Sequence, residues 1–232
     1  MADAPFTSDE LAALQKYDTP TICNALEAIV PERRTTGFTT THLVCADPSL
    51  KPIVGYARTA TIRARQPGDA GTDEIETRYY RYIDKGPRPS VAVIQDLDEE
   101  PGFGAFWGEV NTTIHKALGS LGVVTNGSIR DLDMVAPGFQ LLAGKVGPSH
   151  AHDHVEGFGE EVEVCGMRVK DGDVIHADRH GAVVVPHDAV TALPELAERL
   201  IARERIVLDA CKRPDFSAEV LAAAFKEAAE PH

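Results

Sequence analysis

Gly122-Val123-Val124-Thr125-Asn126-Gly127-Ser128-Ile129-Arg130-Asp131 is the stretch whose reading decides the fold. It has the pattern of a short apolar strand ending in an Asn-Gly turn, and the turn delivers an arginine and an aspartate just beyond the sheet's edge. Arg130 offers a planar fork of donors to a carboxylate or to a developing enolate oxygen. Asp131 offers hard oxygen ligands to a divalent cation or its water. The same dipeptide also reads as a surface ion pair closing a turn, which contributes little to stability.

Immediately upstream, Phe106-Trp107-Gly108-Glu109-Val110-Asn111-Thr112-Thr113 leads into a helical pattern that puts Val110, Ile114, Ala117, Leu118 and Leu121 on one face. Gly108 and the residues after it then form a helix start, either an ordinary terminus or a seat for a small anion on unpaired backbone N–H groups. Helix start and strand end belong to consecutive elements of an alternating α/β unit, so both can face one crevice. Together they describe a pocket for an anionic, oxygen-rich ligand beside a metal.

The run Trp107-Gly108-Glu109, the helix after it, the strand ending in Asn126-Gly127 and then Arg130-Asp131 resemble the RraA-like family. That family includes 4-hydroxy-4-methyl-2-oxoglutarate aldolases and the regulator of ribonuclease activity A. The resemblance extends to Ser8–Ile29 and to Val169–Pro186, where the segment from Gly172-Asp173 to Asp178-Arg179-His180-Gly181 looks like the family's Gly-Asp…Asp-x-x-Gly strand pair.

The resemblance implies a three-layer β/β/α fold of the swivelling-domain type, assembly as a homotrimer or hexamer, and a site in a cleft between subunits. It implies that Asp131 holds Mg²⁺ or Mn²⁺ largely through water and that Arg130 binds the keto oxygen of a small anionic 2-oxo acid. The backbone at Gly108, Glu109, Val110 and Asn111 would hold the substrate carboxylate. The implied chemistry is metal-dependent retro-aldol cleavage of a 4-hydroxy-2-oxo acid, or oxaloacetate decarboxylation, through a pyruvate enolate whose charge the cation and Arg130 stabilise. A metal-bound water is the expected base, because no positioned lysine or histidine is evident from the sequence. Two positions depart from the family pattern: Asn24 stands where relatives usually carry an aspartate, and Met134 where they often carry an acidic residue.

Length and charge agree with this reading. The 232 residues, 43% of them hydrophobic, can bury one substantial core. We expect a single domain, with a helical segment over 1–30, an α/β core over 54–186 and helices over 187–232. The net charge of −13 opposes general binding to nucleic acid or to an anionic membrane, so an anionic substrate needs locally placed positive charge. Cys23, Cys45, Cys165 and Cys211 are far apart and read as reduced thiols of a cytoplasmic protein. The N-terminus lacks the pattern of a leader, and no apolar run reaches membrane-spanning length.

Along the chain, Thr7 or Ser8 caps a first helix and Thr19-Pro20 opens a second. Residues 31–50 read as irregular. Val54–Arg65 alternates as a strand, Glu74–Lys85 reads as a helix and Ser90–Leu97 as a buried strand. The loop from Asp96 to Phe106 carries Gly102-Phe103-Gly104, yet lacks the further glycine and the acidic strand end of a nucleotide or S-adenosylmethionine fingerprint. A mobile flap is the expected use. A strand follows around Phe139–Ala143.

In the polar run Ser149–Glu156, an extended backbone would put His150, His152 and His154 on one face, where two could ligate a transition metal. In a loop they are only neighbours, exposed or at a subunit contact. Val162–Val185 reads as β structure in which Asp178 and His180 serve a turn. Ala189–Cys211 and Ser217–Ala229 read as two helices packing on the domain or on a neighbouring subunit. Two other functions compete with the lyase. One is a non-catalytic regulator binding ribonuclease or helicase partners, against which Gly108, Arg130 and Asp131 speak. The other is a quinone methyltransferase, which needs the cofactor loop that is missing.

Overall fold

The structure is a computed structural model that describes residues 4–69 and 71–229. The helices are α1 (Ser8–Leu14), α2 (Thr19–Ile29), α3 (Thr72–Lys85), α4 (Glu109–Ala117), α5 (Leu193–Ala210) and α6 (Ala218–Ala229). The strands are β1 (Val44–Cys45), β2 (Ile53–Arg63), β3 (Ser90–Asp96), β4 (Ser120–Thr125), β5 (Ser128–Ile129), β6 (Gln140–Ala143), β7 (Lys145–Val146), β8 (His154–Phe158), β9 (Val162–Val164), β10 (Met167–Val169), β11 (Val174–Asp178) and β12 (Gly181–Val185).

The main sheet has the order β1-β6-β4-β3-β2-β11-β12. Its centre, from β2 through β3 and β4 to β6, is parallel, and the β1, β11 and β12 pairings are antiparallel. Strand β2 is long enough to serve two partners on one edge: Ile53–Tyr56 pairs with β11, and Ala60–Arg63 with β8 across a bulge at Thr61/Ile62. One edge feeding two strands makes the sheet curl.

Alternate residues separate the layers. Val54, Tyr56, Ala60 and Ile62 point towards the helices, whereas Ile53 and Ala57 point towards the β9–β10 hairpin, which supplies Val162, Val164, Met167 and Val169 to the opposite core. This is the anticipated β/β/α layering. It also corrects the reading of β2 as an alternating strand, because Ile53 to Ala60 are all buried. Helices on one face and a hairpin on the other leave no solvated side, so apolar and small residues run continuously.

The termini follow local rules. Thr7 caps α1 with a reciprocal Glu10 contact, and Asp18 accepts the Thr21 N–H to cap α2, with Pro20 in its first turn. His176, buried on β11, donates from Nε2 to the carbonyls of Leu14 and Tyr17 and accepts at Nδ1 from the Thr19 hydroxyl. Its neighbour Asp178 accepts the Thr19 and His180 N–H groups. Burial raises the Asp178 carboxyl, but these hydrogen bonds outweigh it and the net shift is downward. Asp178 and His180 are therefore structural, in line with the turn reading. No described helix is long and apolar enough to cross a membrane.

Helix α4 departs from its expected amphipathic face. Val110 is 67% exposed, and the buried residues are Thr112 and His115. Both are polar, yet both are satisfied. Thr112 Oγ1 donates to the Gly108 carbonyl at 2.8 Å and accepts the Ala136 N–H at 3.0 Å. His115 Nδ1 donates to the Asn111 carbonyl at 2.7 Å, and Nε2 accepts the Tyr79 hydroxyl at 2.7 Å, while the ring packs on Trp107 at 4.5 Å. A hydrogen-bonded imidazole can replace an aliphatic side chain in a core, which hydrophobic spacing does not anticipate.

Burial holds His115 at about 4, against 6.5 for an exposed histidine. Between those values the folded protein binds fewer protons than the unfolded chain, so stability present above about pH 6.5 is lost as pH falls towards 4. The full loss from this residue is about 3 kcal/mol. Urea midpoints at pH 7, 5.5 and 4 are expected to fall less steeply for His115→Gln than for the natural protein; equal slopes would remove His115 as the cause.

Candidate functional site

The loop from Asp96 to Phe106 is tied down, contrary to the expectation of a flap. The Gly102 N–H donates to Asp96 Oδ2 at 2.6 Å, and the Ala105 N–H to the Ser149 carbonyl at 2.8 Å. Gly104 has no room for a side chain, since a Cβ would lie 2.3 Å from the His150 carbonyl oxygen. The loop thereby delivers Trp107 in register beside Ile129 in a parallel bridge, and the Arg130 N–H donates to the Trp107 carbonyl at 2.8 Å.

Asn126 acts as a clamp here. Its amide accepts the Asp96 N–H at 2.7 Å and donates to the Asp96 carbonyl at 3.0 Å, locking the ends of β3 and β4 together. The chain then continues into β5, which pairs with β7. Arg130 and Asp131 follow at once. Asp131 adopts φ 55°, a left-handed conformation that a short polar side chain tolerates best.

This backbone turns the Asp131 carboxylate onto the start of α4. Asp131 Oδ2 accepts the Glu109 N–H at 3.3 Å and lies 3.8 Å from Arg130 Nε. A Cβ on Gly108 would come within 2.4 Å of the same oxygen, so only glycine allows the carboxylate this close. Gly108 brings no capping side chain, and the N–H groups of Val110 and Asn111 lie in the first turn, where the helix itself provides no acceptors. The Asn111 amide is fixed between the Phe106 carbonyl at 2.7 Å and the Tyr80 hydroxyl at 2.7 Å. Arg130 Nε is buried with no hydrogen-bond partner among the described residues. The structure therefore brings together Gly108, Glu109, Val110, Asn111, Arg130 and Asp131. An aspartate carboxylate, an arginine side chain and a helix N-terminus are adjacent, an arrangement suited to an anion beside a cation.

The histidines of the polar run do not converge. His150 Nδ1 pairs with Asp153 Oδ1 at 3.1 Å, while His154 begins β8 and turns its ring between the His152 carbonyl and Glu156. Among the described residues no group of three or more His, Cys, Asp or Glu side chains is placed to hold a metal ion. The loop conformation, with Ala151 at φ 52°, breaks the strand spacing on which the transition-metal reading depended.

Sequence reasoning missed Asp153, Glu76 and Tyr80 near this opening. The Tyr80 hydroxyl lies 3.1 Å from Glu76 Oε1, and the charges of Arg130, His150 and Glu76 all act on Asp153. Asp153 was legible only as part of a histidine run, and a His-x-x-Asp pair has meaning only when the loop turns back on itself. Met134 and Asn24, the two departures from the family pattern, are exposed.

Comparison with known proteins identifies the family and supports the fold. The chain belongs to the RraA-like family, described as Aldolase/RraA, whose model matches residues 19–184. A solved structure of an uncharacterized protein from Pseudomonas syringae pv. tomato superposes with a TM-score of 0.73 at 24% identity, covering 96% of this chain and 95% of that one. Streptomyces coelicolor RraAS2, described as an unusual member of the RNase ES inhibitor RraA protein family, gives a TM-score of 0.67 at 21% identity over 90% of this chain and 98% of that one. Protein DlpA of Legionella pneumophila is 29% identical over 131 residues, a match that covers 52% of this chain but spans only 19% of DlpA's length.

Proposed function

We propose that this protein is a divalent-cation-dependent lyase that cleaves a 4-hydroxy-2-oxo acid, decarboxylates oxaloacetate, or does both, in each case through a pyruvate enolate. The carrying observation is the meeting of Arg130, Asp131 and the start of α4, with Gly108 leaving the space.

The residues fit a water-rich hard cation. Asp131 Oδ2 is engaged by the Glu109 N–H, while Oδ1 takes no protein hydrogen bond among the described residues. One carboxylate with the remaining positions left to water suits Mg²⁺ or Mn²⁺, not a metal that needs a protein cage. When bound, the cation supplies positive charge against the enolate oxygen.

The chain's own groups do the rest. Along the backbone from Gly108 to Asn111, where Asp131 already takes the Glu109 N–H, the first-turn N–H groups of Val110 and Asn111 hold the substrate carboxylate in the positive end of the helix dipole. The Arg130 guanidinium, on a side chain 35% exposed, gives a hydrogen bond to the keto oxygen and strengthens it as charge builds there. Tyr80 keeps the Asn111 side chain turned towards Phe106, so it does not close the helix start. Val110, Leu132 and Met134, all exposed large apolar residues close to this opening in sequence, support a homotrimer or hexamer in which a second copy covers them.

The test is pyruvate release from oxaloacetate and from 4-hydroxy-4-methyl-2-oxoglutarate, with Mg²⁺ or Mn²⁺ and again after chelation. Release that stops with chelator and returns with metal is expected. No release with any metal would sink the lyase reading and leave the family's other branch, a regulator that binds protein partners.

A further inference from the structure

We propose that Asp153, held by His150, is the proton acceptor and donor of the aldol step, an inference that rests on the lyase reading. Asp153 lies on the loop between β7 and β8, and its side chain is only 18% exposed. His150 Nδ1 sits 3.1 Å from its Oδ1, and the Asp153 N–H donates to the His150 carbonyl at 3.1 Å. Ala151, at φ 52°, turns the chain so that the two residues face each other. Left-handed backbone at a non-glycine residue costs about 1 kcal/mol or more and concentrates at functional sites. Of the three such residues in the described chain, Asp131 and Ala151 both belong to this region.

The loop is built onto the scaffold of the proposed site. The Ser149 carbonyl accepts the Ala105 N–H, the His150 carbonyl packs on Gly104, and the His152 N–H donates to the Ala64 carbonyl. Two of these contacts fix 149–150 against the segment that ends in Trp107-Gly108, and the third ties His152 to the residue after β2. Asp153 in turn is close enough to Arg130 and Glu76 to feel both charges, and Tyr80, bonded to Asn111, feels the charge of Asp153. Residues His150 to His154 also line an open cavity of about 520 Å³ with Pro67, Gly68, Asp69 and Gly71, so the Asp153 loop borders room for a ligand.

Burial pushes the Asp153 carboxyl up, while His150 and Arg130 pull it down and Glu76 raises it. The net direction is upward, which makes the deprotonated Asp153 a stronger base than an exposed aspartate.

The proposed step is closed in atoms and electrons. Asp153 takes the proton of the C4 hydroxyl; the O–H electron pair left on oxygen becomes the π bond of the new carbonyl, the C3–C4 bond breaks and its pair becomes the enolate. The same proton returns from Asp153 to C3, giving pyruvate and the second carbonyl product. Oxaloacetate has no C4 hydroxyl, so its decarboxylation needs no such abstraction.

Asp153→Asn is expected to lower the ratio of aldol cleavage to oxaloacetate decarboxylation by about 10²-fold or more, since positioned general bases contribute on that order. A merely structural role would lower both reactions in proportion, and that result, or full aldol activity, would overturn the inference. In His150→Asn the acid limb of kcat/KM for aldol cleavage is expected to move to higher pH, because the group that lowers Asp153 is gone; an unmoved limb counts against the pair. Natural protein inactive on both substrates would instead overturn the lyase reading itself, and this inference with it.

Discussion

Asp131→Asn and Asp131→Ala are expected to lower metal-dependent pyruvate release by about 10²–10³-fold, the usual consequence of removing one preorganised electrostatic group. The amide of Asn keeps the size of the side chain and tolerates the left-handed backbone at φ 55°, so its thermal melting should match that of the natural protein. Alanine carries a backbone cost of about 1–2 kcal/mol at this conformation, and a modest loss of stability is expected there. The pair separates loss of the carboxylate from loss of fold. Arg130→Ala is expected to raise KM as well as lower kcat, because its guanidinium serves the keto oxygen in both the ground state and the transition state. Steady-state kinetics with saturating Mg²⁺ checks each case; full activity in any of the three variants would remove that residue from the site.

Gly108→Ala carries the second large effect. A methyl group there would sit 2.4 Å from Asp131 Oδ2 and 3.1 Å from Arg130 Cγ, so both side chains must move. Gly108 itself is extended, at φ −156° and ψ −158°, a conformation open to any residue. The conflict is thus with the site and not with the backbone. Displacement on the order of 1 Å in a catalytic group can cost about 10²-fold in rate, and we expect a loss of that size with little change in melting temperature. Isothermal titration with Mn²⁺ gives a second reading: weaker binding than in the natural protein is expected, and unchanged affinity with unchanged turnover would show that Asp131 can shift without consequence.

The candidate site was legible where chemistry is written into consecutive residues. Arg130 and Asp131 are adjacent, and Gly108-Glu109 announces a helix start after an aromatic pair, so local pattern suffices to nominate them. What the pattern misjudged was burial. Val110 scores as apolar and stands in solvent, whereas His115 scores as polar and lies in the core between Tyr79 and Trp107. The partners that reverse these assignments come from α3 and from the loop before α4, remote or irregular in sequence. The glycines after Asp96 failed in the same way. They suggested mobility, but their lack of side chains is what lets Gly104 lie against the His150 carbonyl.

By itself the sequence determined the start of α1 at Thr7 or Ser8, the opening of α2 at Thr19-Pro20, the buried strand over Ser90–Leu97 and the neighbours Gly108, Arg130 and Asp131. These depend on period, on capping chemistry and on short motifs, all of which act over a few residues. Only the tertiary structure decided that β2 divides its edge between β8 and β11, that the histidine run breaks into separate pairs, and that Asp153 comes under the influence of Arg130. Those outcomes depend on which distant backbone groups meet, through hydrogen bonds such as Ala105 to Ser149 and His152 to Ala64, and a one-dimensional pattern holds no distance between them.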